Sequence, residues 1–134
     1  MKTTGGCYCK AVRYEIDGDP MFKGQCHCRE CQQIAGGQPS VFMVMAPTAL
    51  KYTKGAPKSF TRTDIPNAVT REFCENCGTQ LVTRAQGGAM LIVKVGGLDD
   101  PSVFEGPQMI MYTSEKLPFH TMPPGVPTFE KFPG

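Results

Sequence analysis

The sequence lacks the features of a membrane-spanning or nucleic-acid-binding protein. It has no tryptophan, and its longest unbroken apolar run is the six residues from Val41 to Ala46, whereas a membrane span needs about 18 or more. Lys and Arg total 14 and Asp and Glu total 12, which leaves a formal charge of +2. We therefore predict no membrane segment, and the charge balance gives no indication of a nucleic-acid partner.

The sequence also predicts neither a secretion signal nor a second domain. The opening residues MKTTGG contain no apolar stretch of the kind a signal peptide needs, so we expect a cytoplasmic protein with reduced thiols. No repeat or shift in composition divides the 134 residues, which predicts one domain with its own core. We assign the domain to 5–120. Residues 121–134 are predicted to form an irregular, proline-rich tail packed on it.

Short segments rich in β-branched and aromatic residues recur between turn signals, at a spacing of about 8 to 12 residues. Only Arg29 to Ala35 has a helical pattern, and Leu98 to Val103 could form one more turn. No longer amphipathic segment alternates with the strands, so the pattern favours a mainly β fold over an α/β fold. The predicted strands are 12–16, 41–45, 50–53, 58–63, 69–73, 80–84, 90–95 and 108–113.

The unusual feature of the composition is cysteine, with seven residues. An odd number cannot all pair as disulfides within one chain. In a reducing compartment, clustered cysteines more often bind metal or carry out chemistry. The seven fall into three groups, CYC from Cys7, CHCREC from Cys26 and CENCG from Cys74.

Two of these groups together can make a closed metal site. Cys74 and Cys77 have the spacing that turns two sulfurs toward one point, and the glycine that follows permits a positive φ. Cys7 and Cys9 face the same side of an extended segment. We predict a structural zinc site on these four cysteines that ties the N-terminal segment to the middle of the chain. The alternative is a set of buried free thiols.

Cys26, Cys28 and Cys31 remain, with no eighth cysteine to complete a shell. Three protein ligands and one open position are typical of a catalytic zinc site. A zinc ion with three thiolates carries a net negative charge, so it is poor at ionising water and suits a soft ligand such as a small thiol. Two alternatives stay open. One is a second structural site with His27 or a distant residue as fourth ligand, and the other is an oxidant sensor that releases its metal.

The two histidines are weaker candidates. His27 lies between two predicted ligands, so an extended backbone turns it to the opposite face, and we interpret it as a supporting or surface residue. His120 is interpreted as a surface or tail-packing residue, but it is the best candidate for a general acid or base. Three arginines could receive substrate carboxylates, although a solvated surface position is the simpler interpretation of Arg29, Arg71 and Arg84.

The motifs GGCYC, CHCRECQQIAGG, FCENCGTQL and LPFH, in this order from Gly5 to His120, resemble the glutathione-dependent formaldehyde-activating enzyme family. The resemblance implies the Mss4-like fold, with irregular, mostly antiparallel sheets, one short helix and stapling by zinc. It implies a carbon–sulfur lyase that condenses formaldehyde with glutathione to S-hydroxymethylglutathione. The alternative is a non-catalytic zinc module that binds another protein. The implied ligands are Cys7, Cys9, Cys74 and Cys77 for a structural zinc, and Cys26, Cys28 and Cys31 for a catalytic one.

Overall fold

In the computed structural model, which describes residues 1–133, the chain forms ten β-strands and one α-helix, joined by turns and short 3-10 segments. All eight predicted strands are present, with ends that differ by at most two residues, and the predicted helix is α1 (Arg29–Ile34). The strands are β1 (Lys2–Gly6), β2 (Arg13–Asp17), β3 (Phe22–Cys26), β4 (Ser40–Met45), β5 (Leu50–Lys54), β6 (Lys58–Thr61), β7 (Thr70–Phe73), β8 (Gln80–Arg84), β9 (Leu91–Lys94) and β10 (Met109–Met111).

The strands form two sheets. The smaller has the order β1-β2-β5, and the larger has the order β10-β3-β4-β9-β8-β7-β6. Every neighbouring pair is antiparallel except β10 and β3, which are parallel. The prediction of a mainly β, mostly antiparallel fold with one short helix is therefore confirmed.

Two strands, β1 and β3, were not predicted from the sequence, because both contain glycines that weaken strand propensity. A Cβ atom on Gly5 would lie 2.4 Å from the Gly97 carbonyl oxygen and from the Tyr14 hydroxyl. A Cβ atom on Gly24 would lie 2.7 Å from the ring of Phe42. The glycines are thus required by close packing in the folded chain, which local pattern does not reveal.

Strand β4 is buried on both faces because it lies inside the larger sheet. Met43 and Met45 contribute to the main core, which also contains Tyr14 of the smaller sheet. Phe42 and Val44 alternate with them and contribute to a second core. The smaller sheet therefore packs on one face of the larger, and the other face carries a separate apolar cluster.

The proline-rich tail forms no strand between residues 118 and 133. Its backbone nevertheless bonds to β10. The Ile110 N–H donates to the Pro127 carbonyl and the Phe129 N–H donates to the Ile110 carbonyl, each at 2.9 Å. The division of the chain at residue 120 stays a prediction. Within residues 1–133, no helix has the length and apolar character required to cross a bilayer.

Candidate functional site

The structure brings together the four cysteines of the predicted closed site. Their sulfurs all lie within 4.8 Å of one another, and Cys9 Sγ is 3.7 Å from both Cys7 Sγ and Cys74 Sγ. A tetrahedral zinc with Zn–S bonds of about 2.3 Å places its sulfurs about 3.8 Å apart. All seven cysteines are free thiols. The four-cysteine cluster, meaning Cys7, Cys9, Cys74 and Cys77, could therefore hold a metal ion.

Two tight turns aim these sulfurs. The Gly78 N–H donates to the Cys74 carbonyl at 2.7 Å, and Gly78 has a φ of +80°, a conformation that favours glycine. On the N-terminal side, the Lys10 N–H donates to the Cys7 carbonyl at 3.2 Å, and Lys10 has a φ of +68°. Each turn holds a pair of cysteines, so two distant segments contribute two sulfurs each.

Polar groups around this cluster favour negative charge on sulfur. The Val12 N–H donates to Cys7 Sγ at 3.3 Å, and the Asn76 amide donates to Cys9 Sγ at 3.2 Å. The Thr79 hydroxyl lies 3.1 Å from Cys77 Sγ. This hydrogen bond lowers the pKa of Cys77 to about 5. The surroundings of Cys77 therefore favour its thiolate, the form that binds metal.

The other three cysteines form a second cluster, named here the three-cysteine cluster. Cys26 ends β3, while Cys28 caps α1 and accepts a hydrogen bond from the Cys31 N–H at 3.3 Å. The three sulfurs lie within 4.8 Å of one another. Cys26 is buried, whereas Cys28 and Cys31 are half-buried. Within residues 1–133, no fourth His, Cys, Asp or Glu side chain joins this group.

The pKa values of the three thiols are shifted in different directions. Hydrogen bonds from Cys26 and then Cys31 lower the pKa of Cys28 to about 2. The same contacts with Cys28 and Cys31, together with burial, raise the pKa of Cys26 far above its ordinary value. Hydrogen bonds among the three sulfurs thus favour a thiolate within the cluster, which a bound cation would neutralise.

His27 is not part of the three-cysteine cluster, so the alternative in which it is the fourth ligand is wrong for this geometry. Its side chain is fully buried, which also excludes a surface position. His27 Nε2 lies 3.0 Å from the Gln25 amide nitrogen, and His27 Nδ1 lies 3.0 Å from His120 Nδ1. Burial, together with the neighbouring His120, lowers the pKa of His27. The ring is therefore a neutral, hydrogen-bonded part of the interior.

His120 is also buried, at 6% exposure, so the predicted surface position is wrong. Because the Gln25 amide nitrogen can only donate, His27 Nε2 accepts and His27 Nδ1 donates to His120 Nδ1. The Leu117 N–H also donates to that atom at 3.1 Å, and His120 Nε2 donates to the Gly37 carbonyl at 2.8 Å. Both ring nitrogens are engaged, and the bonds to His27 and Gly37 make His120 an anchor of the segment that carries the three-cysteine cluster.

A cavity of about 180 Å³ opens beside the three-cysteine cluster, and its wall includes Cys26 and Cys31. Phe42, Ile92 and Met111 supply much of its apolar surface. Neither His27 nor His120 lines it. We name this space the inner cavity, and a small molecule within it would meet the sulfurs of Cys26 and Cys31.

Lys94 also lines the inner cavity and was not predicted as a site residue. It pairs with Phe42 on β4, and its Nζ donates to Ser40 Oγ at 2.9 Å. Ser40 in turn pairs with Cys26 across β3 and β4, so the ammonium lies at the cysteine end of the sheet. Burial lowers the pKa of Lys94. A charged residue inside the otherwise apolar LIVKV segment was the available sequence signal.

Comparison with known proteins agrees with this architecture. A family model described as "Glutathione-dependent formaldehyde-activating enzyme" matches residues 2–115. The crystal structure of a Rhodobacter sphaeroides protein is similar, with 18% sequence identity over 72% of this chain and 87% of that chain, and a TM-score of 0.58. At this identity the structural similarity shows a shared fold and nothing further.

Proposed function

This chain belongs to the glutathione-dependent formaldehyde-activating enzyme family, and we propose that it forms and cleaves the carbon–sulfur bond between a glutathione-like thiol and formaldehyde. In the forward direction the thiol sulfur attacks the carbonyl carbon, the S–H bond breaks, and a proton ends on the former carbonyl oxygen. The reverse reaction is that of a carbon–sulfur lyase. The observation that carries this proposal is the three-cysteine cluster on the wall of the inner cavity.

The two cysteine clusters could each hold a metal ion, and we propose different roles for the two ions. The four-cysteine cluster would hold a structural zinc, because four protein sulfurs at suitable spacing complete its shell. Cys26, Cys28 and Cys31 would hold a second zinc, with fewer protein ligands than a structural site uses. That ion would supply a Lewis acid that lowers the pKa of a bound thiol. Half-buried Cys28 and Cys31 leave the cluster accessible to a small molecule.

The chain's own side chains would orient the reactants. Phe42, Ile92 and Met111 give the inner cavity an apolar surface that limits competing water. Lys94, with its Nζ held by Ser40, would donate a hydrogen bond to the formaldehyde oxygen. As that oxygen becomes an alkoxide, Lys94 would pass it a proton from Nζ and regain one from solvent, to which the thiol proton is released.

The cellular setting is part of the proposal. The cysteines carry no disulfide, which suits the reducing cytoplasm expected from the sequence. A glutathione-like thiol is also the soft, sulfur-bearing ligand that a thiolate cluster would favour. We propose no nucleic-acid or membrane partner.

The test is the exchange of label between glutathione, formaldehyde and S-hydroxymethylglutathione, followed by NMR above the spontaneous rate. The zinc-loaded wild type should accelerate exchange. Cys28→Ser should lose about 100-fold or more of that acceleration while its circular dichroism spectrum is retained. Lys94→Gln should lose about 10- to 100-fold, whereas Lys58→Gln, on the exposed strand β6, should match wild type. Full activity of folded Cys28→Ser protein would refute the proposal.

A further inference from the structure

Arg71 on β7 differs from the other arginines of the described chain. Three of them form an ion pair with a carboxylate, and two of these pairs have contacts of 2.6 and 2.8 Å. Arg29, on the exposed side of α1, bonds to the neutral side chain of Gln32. The three paired arginines and their partners are Arg13 with Asp99, Arg62 with Asp64 and Arg84 with Glu72.

Arg71 is largely buried but weakly partnered. Its side chain is 14% exposed. One terminal nitrogen lies 3.6 Å from Glu30 Oε2 and the other lies 3.4 Å from Thr83 Oγ1, whereas charge-assisted N–H···O bonds are about 2.7–2.9 Å long. Glu30 also pairs with Arg62 at 3.2 Å. Since a guanidinium has five N–H donors, Arg71 retains donors for an incoming anion.

Arg71 lies between two cavities. The inner cavity contains Cys26 and Cys31 in its wall. A second space of about 180 Å³, named here the outer cavity, extends toward Arg62. Glu30, Val69 and Arg71 line both spaces. Each cavity, at about 180 Å³, is smaller than the roughly 300–1,000 Å³ of a typical ligand site, and a ligand larger than one cavity can extend past Arg71 into the other.

The charges of the inner cavity favour an acidic ligand at this point. Arg71 and Lys94 are cations in its wall, and Glu30 is the one carboxylate among the lining residues described. A ligand carboxylate can form two parallel hydrogen bonds with a guanidinium and can replace the long contact with Glu30. Glu30 would keep Arg62 as its partner, so no carboxylate is left without a cation.

We propose that Arg71 is the carboxylate-binding residue of this site and that it selects thiols bearing a carboxylate over neutral thiols. The inference rests on the proposed function, because it assumes that the ligand's sulfur reaches the three-cysteine cluster. It goes further in naming the group at the far end of the ligand and the residue that binds it. Among the three arginines that the sequence offered for this role, the structure favours Arg71.

Binding of S-methylglutathione, followed by NMR titration of the zinc-loaded protein, tests this without requiring a free thiol or turnover. Wild type should bind S-methylglutathione at least about 10-fold more tightly than its diethyl ester, in which both carboxylates are masked. Arg71→Gln should remove this preference, and Arg71→Lys should restore it in part, because lysine keeps the charge but loses the planar fork. The matched control Arg13→Gln, at an arginine that lines neither cavity, should stay within about 2-fold of wild type.

Catalysis gives a second measurement. Arg71→Gln should raise KM for glutathione by about 10-fold and leave the rate with 2-mercaptoethanol, which has no carboxylate, unchanged. The proposal is wrong if folded Arg71→Gln keeps the preference for the diacid, or if Arg13→Gln loses it equally, since the attraction would then be a general effect of charge. If the preference depends on Arg71 but wild type catalyses no exchange, the carboxylate site stands and the proposed function fails.

Discussion

The two cysteine clusters use the same side chain but are built in opposite ways. In the four-cysteine cluster, Cys9 and Cys74 are 65 residues apart in sequence, so a bound metal would close a long loop. The three-cysteine cluster comes from six consecutive residues at the junction of β3 and α1. Closure of a long loop restricts the unfolded chain, whereas a local cluster restricts it little. The comparison teaches that one cluster can stabilise the fold while the other is free to serve a ligand.

Individual cysteines of the two clusters also differ in burial. Cys7 and Cys74 are 5% and 1% exposed and belong to the main core. Cys28 and Cys31 are half-buried and pack against the smaller second core. A metal held in the core resists exchange and entry of other ligands, while a metal at a cavity wall does not. Cys9 is exposed and Cys26 is buried, so burial varies within each cluster, and the inner cavity is what distinguishes the surroundings of the three-cysteine cluster.

A cysteine-to-serine substitution in each cluster should reveal the largest difference between them, which is their contribution to the stability of the fold. Cys74→Ser should abolish cooperative folding, because zinc binding to a structural site contributes free energy as large as the whole stability of about 5–15 kcal/mol. Cys28→Ser should melt within about 5 °C of wild type. Thermal melting followed by circular dichroism, with zinc content measured on both proteins, makes the comparison. A near-native melt for Cys74→Ser would show that the four-cysteine cluster does not stabilise the fold.

Graded chelation should separate the clusters within one protein. We expect two zinc ions per chain, one released first by a mild chelator because it has three protein ligands and lies beside a cavity. That release should remove the activity and leave the circular dichroism spectrum unchanged, and added zinc should restore the activity. The second ion should leave only with unfolding. Release of both ions together, or loss of structure with the first, would contradict the difference in role.

Substitution of His120, which anchors the segment carrying the three-cysteine cluster, should have a smaller effect on stability. His120→Phe removes the acceptor for His27 Nδ1 and the donor to the Gly37 carbonyl. It should cost about 1–3 kcal/mol, seen as a fall of several degrees in Tm. The affinity of the first-released zinc should also fall, while that of the second should not. His120→Gln, which keeps a donor and an acceptor, should recover part of both losses. Equal losses at both metals would argue against a local anchor.

Residue spacing was sufficient to predict which cysteines approach one another. Cys26, Cys28 and Cys31 are close because six residues cannot separate them far, and the turn at Cys74 to Gly78 follows from its own composition. Pairing of the CYC segment with that turn followed from counting ligands. The surface positions considered for His27 and His120 were wrong, because nothing local predicts that these side chains, 93 residues apart, share a buried hydrogen bond.

Sequence alone determined the mainly β class and the division of seven cysteines into four and three, because strand alternation and ligand spacing are local properties of the chain. Only the tertiary structure decided what surrounds the three-cysteine cluster. The order β3-β4-β9 brings the Lys94 side chain to the cysteine end of β4, and β7 places Arg71 between two cavities. Sheet order is fixed by packing between distant segments, so no local pattern could have specified these neighbours.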